Sequence, residues 1–240
     1  MNIILLFEEN VTGVGVNKLS PRLSVIAEEI AKNGFQDIIY DIGTDNAYLP
    51  IFLVKNGYCG SADAADISAA SLERAGRNIE KAGLSDRIAL YTGDGLASVS
   101  EYLPSKIVIL AGIGGNNLAE IVGAQIDKAK AASCLILQPM HNQEVLREWL
   151  WQNSFEICHE RLAQEGRRVY SVFVCRRSGA PVPYTPVEAY IGKKVLYKNR
   201  DEYVHFLRFT RLKAANRYNG APSSDIKAII DAIDDIIHTL

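Results

Sequence analysis

The sequence has little that would indicate a membrane protein, a disulfide-stapled protein or a zinc protein. Its apolar runs fall far short of the roughly 20 residues that cross a bilayer. The start, MNIILLFEEN, lacks the basic segment of a signal peptide. Four cysteines are scattered over 240 residues without a C-x-x-C pair, so we expect reduced thiols and no bound metal. These absences predict a cytoplasmic globular protein that needs neither membrane nor metal.

The first glycine turn lacks the spacing of a dinucleotide site. In IIYDIGTDNAYLP, residues 38–50, a β-branched strand ends at Asp41 and a helix begins after Gly43. Such a turn offers backbone N–H groups and a carboxylate to a cofactor. A pyrophosphate requires G-x-G-x-x-G, whereas Thr-Asp-Asn follows Gly43. Asp41 and Asp45 would repel a pyrophosphate but suit a cationic ligand with hydroxyl groups, which favours S-adenosylmethionine over NAD.

Strand and helix patterns alternate along the first 152 residues, which predicts an α/β fold with a doubly wound parallel sheet. The predicted strands are 37–41, 60–65, 88–92, 107–111 and 134–138, and the helices between and after them are 48–56, 69–82, 117–131 and 143–152. Two further strand patterns, 154–162 and 168–176, have no helix between them and predict an antiparallel hairpin. A helix-separated sheet that ends in a hairpin is the order of the class I (Rossmann-like) methyltransferase fold.

The C-terminal part is predicted to be a helical appendage. Three prolines lie within residues 178–186, and two helical patterns follow, broken at 219–222. We therefore predict a methyltransferase domain at 1–180 and a two-helix, coiled-coil-like arm at 181–240, called the C-terminal arm below. Residues 193–217 carry eight lysines and arginines against two acids. This basic segment is either a polyanion-binding face or a solvated helix surface.

Acids follow three consecutive predicted strands, at Asp41, Asp66 and Asp94. Because parallel strands end at one edge of a sheet, all three are expected in one crevice. There Asp66 suits two ribose hydroxyls, Asp94 an adenine amine and Asp41 an ammonium group. The fourth strand ends in AGIGG, whose glycines allow close approach by a planar ligand. The full set of predicted cofactor-binding residues is Asp41, Gly43, Asp66, Ile67, Asp94, Gly95, Gly112 and Gly114.

The chain also resembles a known family. LSPRL (19–23), DIGTDNAYLP (41–50), GDGL (93–96), AGIGG (111–115), LILQP (135–139) and LREW (146–149) are similar to motifs of the bacterial TrmK family. The resemblance implies a class I fold and S-adenosylmethionine-dependent methylation of adenine N1 at tRNA position 22, with the C-terminal arm holding tRNA. Two positions depart from the family pattern: Asn46 replaces a usual histidine and Ile113 a usual methionine.

For that reaction, Asp45 is expected to stabilise the cationic product, while Asn46, Tyr48 and Gln138 position the base. His141 is a possible base but more often such a residue is structural. The expected phosphate contacts are Arg22, Lys193, Lys194, Lys198, Arg200, Arg208 and Arg211. Two alternatives remain: a methyltransferase of another substrate, or an RNA-binding module with weak or lost catalysis.

Overall fold

The computed structural model describes residues 18–32, 38–98 and 106–240. Their elements, in chain order, are α1 (Pro21–Lys32), β1 (Ile39–Ile42), α2 (Tyr48–Lys55), β2 (Ala62–Asp66), α3 (Ala69–Ala82), β3 (Ile88–Thr92), a 3₁₀ turn (Gly95–Ser98), β4 (Ile107–Ile113), α4 (Gly115–Ala124), α5 (Ile126–Ala131), β5 (Cys134–Pro139), α6 (Gln143–Gln152), β6 (Phe155–Glu165), β7 (Arg168–Arg177), α7 (Pro186–Ile191), β8 (Val195–Leu196), α8 (Arg200–Gly220) and α9 (Ser224–Thr239). They fall into two compact units. The first comprises Met1–Ala111 and Gln125–Ser133, the second Gly112–Ala124 and Cys134–Leu240.

In the first unit the strands are parallel, in the order β3-β2-β1-β4. Ile42 lies opposite Ala65, and Asp66 lies opposite Thr92. The carboxyl ends of these strands therefore meet at one edge, as the sequence predicts. The alternation of β-branched strands and amphipathic helices explains this arrangement, because each buried strand needs a helix on its face. The Ser68 hydroxyl accepts the Ser71 N–H and begins α3.

In the second unit β7 pairs antiparallel with both β5 and β6, and β8 pairs parallel with β6. The predicted hairpin is confirmed. Its strands are longer than predicted, and only Gly166 and Arg167 connect them. Gly166 has a φ of 58°, the left-handed conformation that a two-residue hairpin loop requires.

The two helices of the C-terminal arm share a core with the hairpin. Apolar side chains of α8 and α9 pack with Leu162 and Val169 of the hairpin and with α7; the buried members in the helices are Phe206, Leu207, Ala214, Ile226, Ile229 and Ile233. The predicted helical arm is thus present and packs on β6 and β7. A domain boundary at residue 180 stays a prediction.

A fully buried ion pair fixes α7 in the second unit. Arg147 of α6 donates two hydrogen bonds of 2.8 Å to the Glu160 carboxylate of β6. The same guanidinium donates to the carbonyls of Ala189 and Tyr190 at the end of α7. Every partner is buried, and Arg147 is 0% exposed. The pair therefore joins three elements that are distant in sequence.

The structure differs from the predicted secondary structure at one helix and adds two elements. The predicted helix 117–131 is two helices, α4 and α5, which belong to different units. α7 and β8 were not predicted. Asn142 occupies the N-cap position of α6 with a φ of 54° and makes no side-chain hydrogen bond there. Residue 37 of the first predicted strand lies outside the described residues. Within the described ranges, no helix has the length and apolar character needed to cross a membrane.

Candidate active site

The turn after β1 is held by Asp41. Its carboxylate is buried and accepts a 2.6 Å hydrogen bond from the Thr44 hydroxyl. Burial raises the pKa of Asp41 to about 6, the Thr44 hydrogen bond lowers it and the charge of Asp66 raises it. The N–H groups of Gly43 and Thr44 both donate to the Ala65 carbonyl. These two N–H groups are thus used within the fold and are not offered to a cofactor, contrary to the prediction.

Asp66 lies at the centre of this edge. One carboxylate oxygen accepts the Asp45 N–H at 3.0 Å, and the other accepts the Ser68 N–H at 2.9 Å. Two fixed donors hold the carboxylate in place, and each oxygen retains a further lone pair for a ligand hydroxyl. The next residue, Ile67, exposes 69% of its surface. An ordered acceptor beside an exposed apolar side chain is suited to a ribose and an aromatic base.

The Asp45 carboxylate forms an exposed ion pair with α3. Arg74 of α3 approaches one of its oxygens at 2.6 Å, and the Asn46 amide donates to the other at 2.5 Å. Asn78 donates to the Asn46 carbonyl at 3.0 Å. These contacts hold a turn in which Asp45 has a φ of 48°. Asp45 thus has a structural contact with α3, and its expected role in stabilising the product cation stays a prediction.

Tyr48, Asp94 and Gly95 also lie near the carboxyl ends of these strands. Tyr48 is the first residue of α2 and is half-buried. Asp94 is exposed and follows β3, and Gly95 begins the 3₁₀ turn with a φ of 54°. The first unit thus brings together Asp41, Gly43, Asp66, Ile67, Asp94 and Gly95, as the sequence predicts.

In the second unit the AGIGG turn packs against the end of β5. The fully buried Gln138 accepts the Gly112 N–H at 3.0 Å and donates to the Pro139 carbonyl at 2.9 Å. Its amide therefore makes two hydrogen bonds within the turn, and its expected contact with a substrate base stays a prediction. The imidazole of His141 fills the space beside Gly114, where an added Cβ would meet it at 2.5 Å. That glycine admits a protein side chain rather than a planar ligand, which gives His141 a structural role.

The predicted RNA-binding residues divide into two groups. Lys194 pairs with Glu156, Arg211 pairs with Asp234, and Lys193 donates to the Pro183 carbonyl. Within the described part of the chain, Lys198, Arg200 and Arg208 have no ion-pair partner. Arg200 and Arg208 line an open groove of α8 together with His205, Asp201 and Ile237 of α9. Arg22 lies half-buried at the start of α1 in the first unit. The available positive charge of the basic segment is therefore concentrated near the start of α8.

Comparison with known proteins identifies the family. A methyltransferase-domain family matches residues 19–173. The tRNA (adenine(22)-N(1))-methyltransferase of Bacillus subtilis is 34% identical over 178 residues, which cover 74% of this chain and 73% of that protein. The chain belongs to the TrmK family. The B. subtilis TrmK structure superposes with a TM-score of 0.70 and 27% identity, over 92% of this chain and 96% of that one. TrmK of M. capricolum in complex with S-adenosylhomocysteine gives 0.72 and 27%, over 92% and 98%.

Sequence reasoning missed the residues of α3 that hold the turn at Asp45 and Asn46. Arg74, Ser71 and Asn78 all contact Asp45 or Asn46, and they lie about one helical turn apart on one helix face. The i, i+3, i+7 spacing of these polar residues on an amphipathic helix was the available signal. What the sequence lacks is any indication of which acid that face meets.

Proposed function

We propose that this chain transfers the methyl group of S-adenosylmethionine to N1 of the adenine at position 22 of tRNA. The observation that carries the proposal is the match over 92% of the chain to TrmK bound to the cofactor product. The B. subtilis relative bears the name of this activity. The free thiols of the described cysteines agree with a cytoplasmic location.

The first unit fits the adenosyl part of the cofactor. Asp66 is a fixed acceptor for ribose hydroxyls, and the exposed Ile67 can cover one face of the adenine ring. Asp94 is an exposed acceptor for the adenine amine. When ionised, the buried Asp41 carboxylate would attract the ammonium group, because a buried charge is poorly screened by solvent. When bound, the cofactor supplies an electrophilic methyl group.

The remaining residues orient the substrate adenine. Neutral adenine carries a lone pair on N1, so the protein needs to align the base rather than remove a proton from it. Asn46 and Tyr48 are half-buried at the start of α2 and are the side chains proposed to align it. Arg74 and Asn78 hold the turn at Asp45 and Asn46 that carries these groups. The target base must leave its stack to reach such a site.

Methyl transfer to unmodified tRNA tests the proposal. Purified protein is incubated with radiolabelled S-adenosylmethionine and bulk tRNA that lacks modification, and the digested nucleosides are separated. Label in N1-methyladenosine is the expected result. Label in another nucleoside would show a methyltransferase with a different target. Binding of tRNA without any label would identify an RNA-binding module and contradict the proposal.

A further inference from the structure

A ladder of three aromatic rings runs from the core of the second unit to its surface. Phe206 of α8 is fully buried in the core that α8 and α9 share with the hairpin. The centroid of the Tyr203 ring lies 6.2 Å from that of Phe206 at an interplanar angle of 15°, and the Tyr197 ring stacks on Tyr203 at 4.6 Å and 3°. Tyr197 is the outer end of the ladder and exposes 44% of its surface. The fold therefore presents a large aromatic side chain to solvent.

The backbone is fixed on both sides of Tyr197. Before it, β8 pairs parallel with β6. After it, the Lys198 N–H donates to the buried Glu202 carboxylate at 2.7 Å, and the Glu202 N–H donates to the side chain of Asn199 at 2.9 Å. Because the ring is held in place before a ligand arrives, binding on it costs little conformational entropy.

Positive charge flanks this ring. Residues 193–200 carry four lysines and arginines and no acid. Within the described part of the chain, two of the four, Lys198 and Arg200, are exposed and have no ion-pair partner. Arg200 and Tyr203 are three positions apart on α8, so they lie on one face of the helix and Arg200 is close to the stacked rings. Asp201, two positions before Tyr203, points to a different side of α8.

We propose that Tyr197, Tyr203, Lys198 and Arg200, called the Tyr197 platform below, bind an unpaired nucleotide of the RNA substrate. Its base stacks on Tyr197, and its phosphates contact Lys198 and Arg200. This inference rests on the proposed function for its RNA ligand. Proteins bind single-stranded nucleic acid with exposed rings beside basic side chains, because every base has a face that can stack. A base in a duplex is already stacked on its neighbours, so the platform should distinguish unpaired from paired RNA.

A peptide that pairs with the edge of β8 is the competing occupant. β8 is the last strand of the sheet order and has two residues. An edge this short offers few backbone hydrogen bonds to an added strand. The ring and the cations instead match a ligand that is both planar and anionic, and each nucleotide of RNA has both properties.

Two substitutions test the platform, Tyr197→Leu and Tyr197→Phe, with Leu212→Ala as the control. Leucine keeps an apolar contact with Tyr203 but has no ring face, whereas phenylalanine keeps the face. Leu212 is also an exposed apolar residue, at 58%, and lies about 13 Å further along α8 than Tyr203. Filter binding of the full chain gives the Kd for unmodified tRNA, for a single-stranded RNA of about ten nucleotides and for a duplex of the same sequence.

We expect Tyr197→Leu to raise the Kd for the single-stranded RNA and for tRNA about tenfold, through the loss of one stacked base. Its Kd for the duplex, its affinity for S-adenosylmethionine and its thermal midpoint should equal those of the wild type. Tyr197→Phe and Leu212→Ala should bind all three RNAs like the wild type. In the wild type, a single strand that contains 5-bromouridine should crosslink to Tyr197 on irradiation, and this measurement does not depend on the folding of a variant.

Unchanged affinity of Tyr197→Leu for the single-stranded RNA would overturn the inference, because it would show that no base stacks on this ring. Equal losses for the single strand and the duplex, or crosslinks that do not include Tyr197, would also overturn it. A wild type that binds none of the three RNAs would do the same. A wild type that binds RNA without methylating tRNA would instead contradict the proposed function, while the comparison of single-stranded and duplex RNA would still test the platform.

Discussion

Replacing Asp41 with asparagine should change how the stability of the protein depends on pH. Burial raises the pKa of Asp41 from 3.8 to about 6. Since each pKa unit corresponds to about 1.4 kcal/mol, ionised Asp41 costs the folded state about 3 kcal/mol. The folded state holds this proton more tightly than the unfolded state. Its contribution to stability is therefore complete below pH 3.8 and is lost as the pH rises through about 6.

The assay is urea unfolding of wild type and Asp41→Asn between pH 5 and pH 8. The asparagine variant lacks the ionisation, so its stability relative to the wild type should increase by about 1.4 kcal/mol over that range. Thr44→Val removes the hydrogen bond that lowers the pKa of Asp41. The unfolding free energy of this variant should therefore depend more strongly on pH than that of the wild type. S-adenosylmethionine affinity of the wild type should fall below about pH 6, because protonation removes the charge that attracts the ammonium group. A stability difference that does not vary with pH would refute the assignment of a buried, functional charge.

Three further predictions concern other parts of the molecule. Arg147→Met should lower the free energy of unfolding in urea by about 3–5 kcal/mol, because it leaves the buried Glu160 carboxylate without its partner. A decrease below about 1 kcal/mol would show that the ion pair is not buried in solution. The double variant Arg200→Glu with Arg208→Glu should weaken tRNA binding and its salt dependence but spare S-adenosylmethionine binding. The control Lys227→Glu on α9 should change neither. Equal tRNA affinity in the wild type, the double variant and the control would exclude the groove on α8 as an RNA-binding site. Asn46→His should keep kcat, because the imidazole can also donate a hydrogen bond to the Asp45 carboxylate. Asn46→Ala should lower kcat about tenfold. A higher kcat for Asn46→Ala than for Asn46→His would show that the side chain is not needed for the turn.

The strand ends of the first unit could be predicted because they depend on local pattern. A short β-branched run followed by an acid and a glycine fixes where a parallel strand ends, and Asp41 and Asp66 accordingly lie at one edge. The hairpin was likewise evident from two strand patterns without a helix between them. The start of α7 carried a readable signal as well, since Thr185 and Glu188 form a capping box, but it was not used.

The charge partners could not be predicted, because they join residues far apart in sequence. Asp45 meets Arg74 twenty-nine positions away, and Arg147 meets carbonyls of α7 more than forty positions away. Periodicity shows that a face is polar or apolar but does not show which face it meets. For that reason the sequence does not show that Asp45 pairs with Arg74 or that the amide of Gln138 bonds within the turn.

The most direct test compares two transcripts of one tRNA that differ only at position 22, with adenine or guanine. Each is incubated with the protein and S-adenosylmethionine, and the modified site is mapped by primer extension, which N1-methyladenosine blocks because it occupies the pairing edge of the base. The account predicts a block at position 22 of the adenine transcript and no methylation of the guanine transcript. Equal methyl incorporation into both transcripts, or a block at another position, would contradict it.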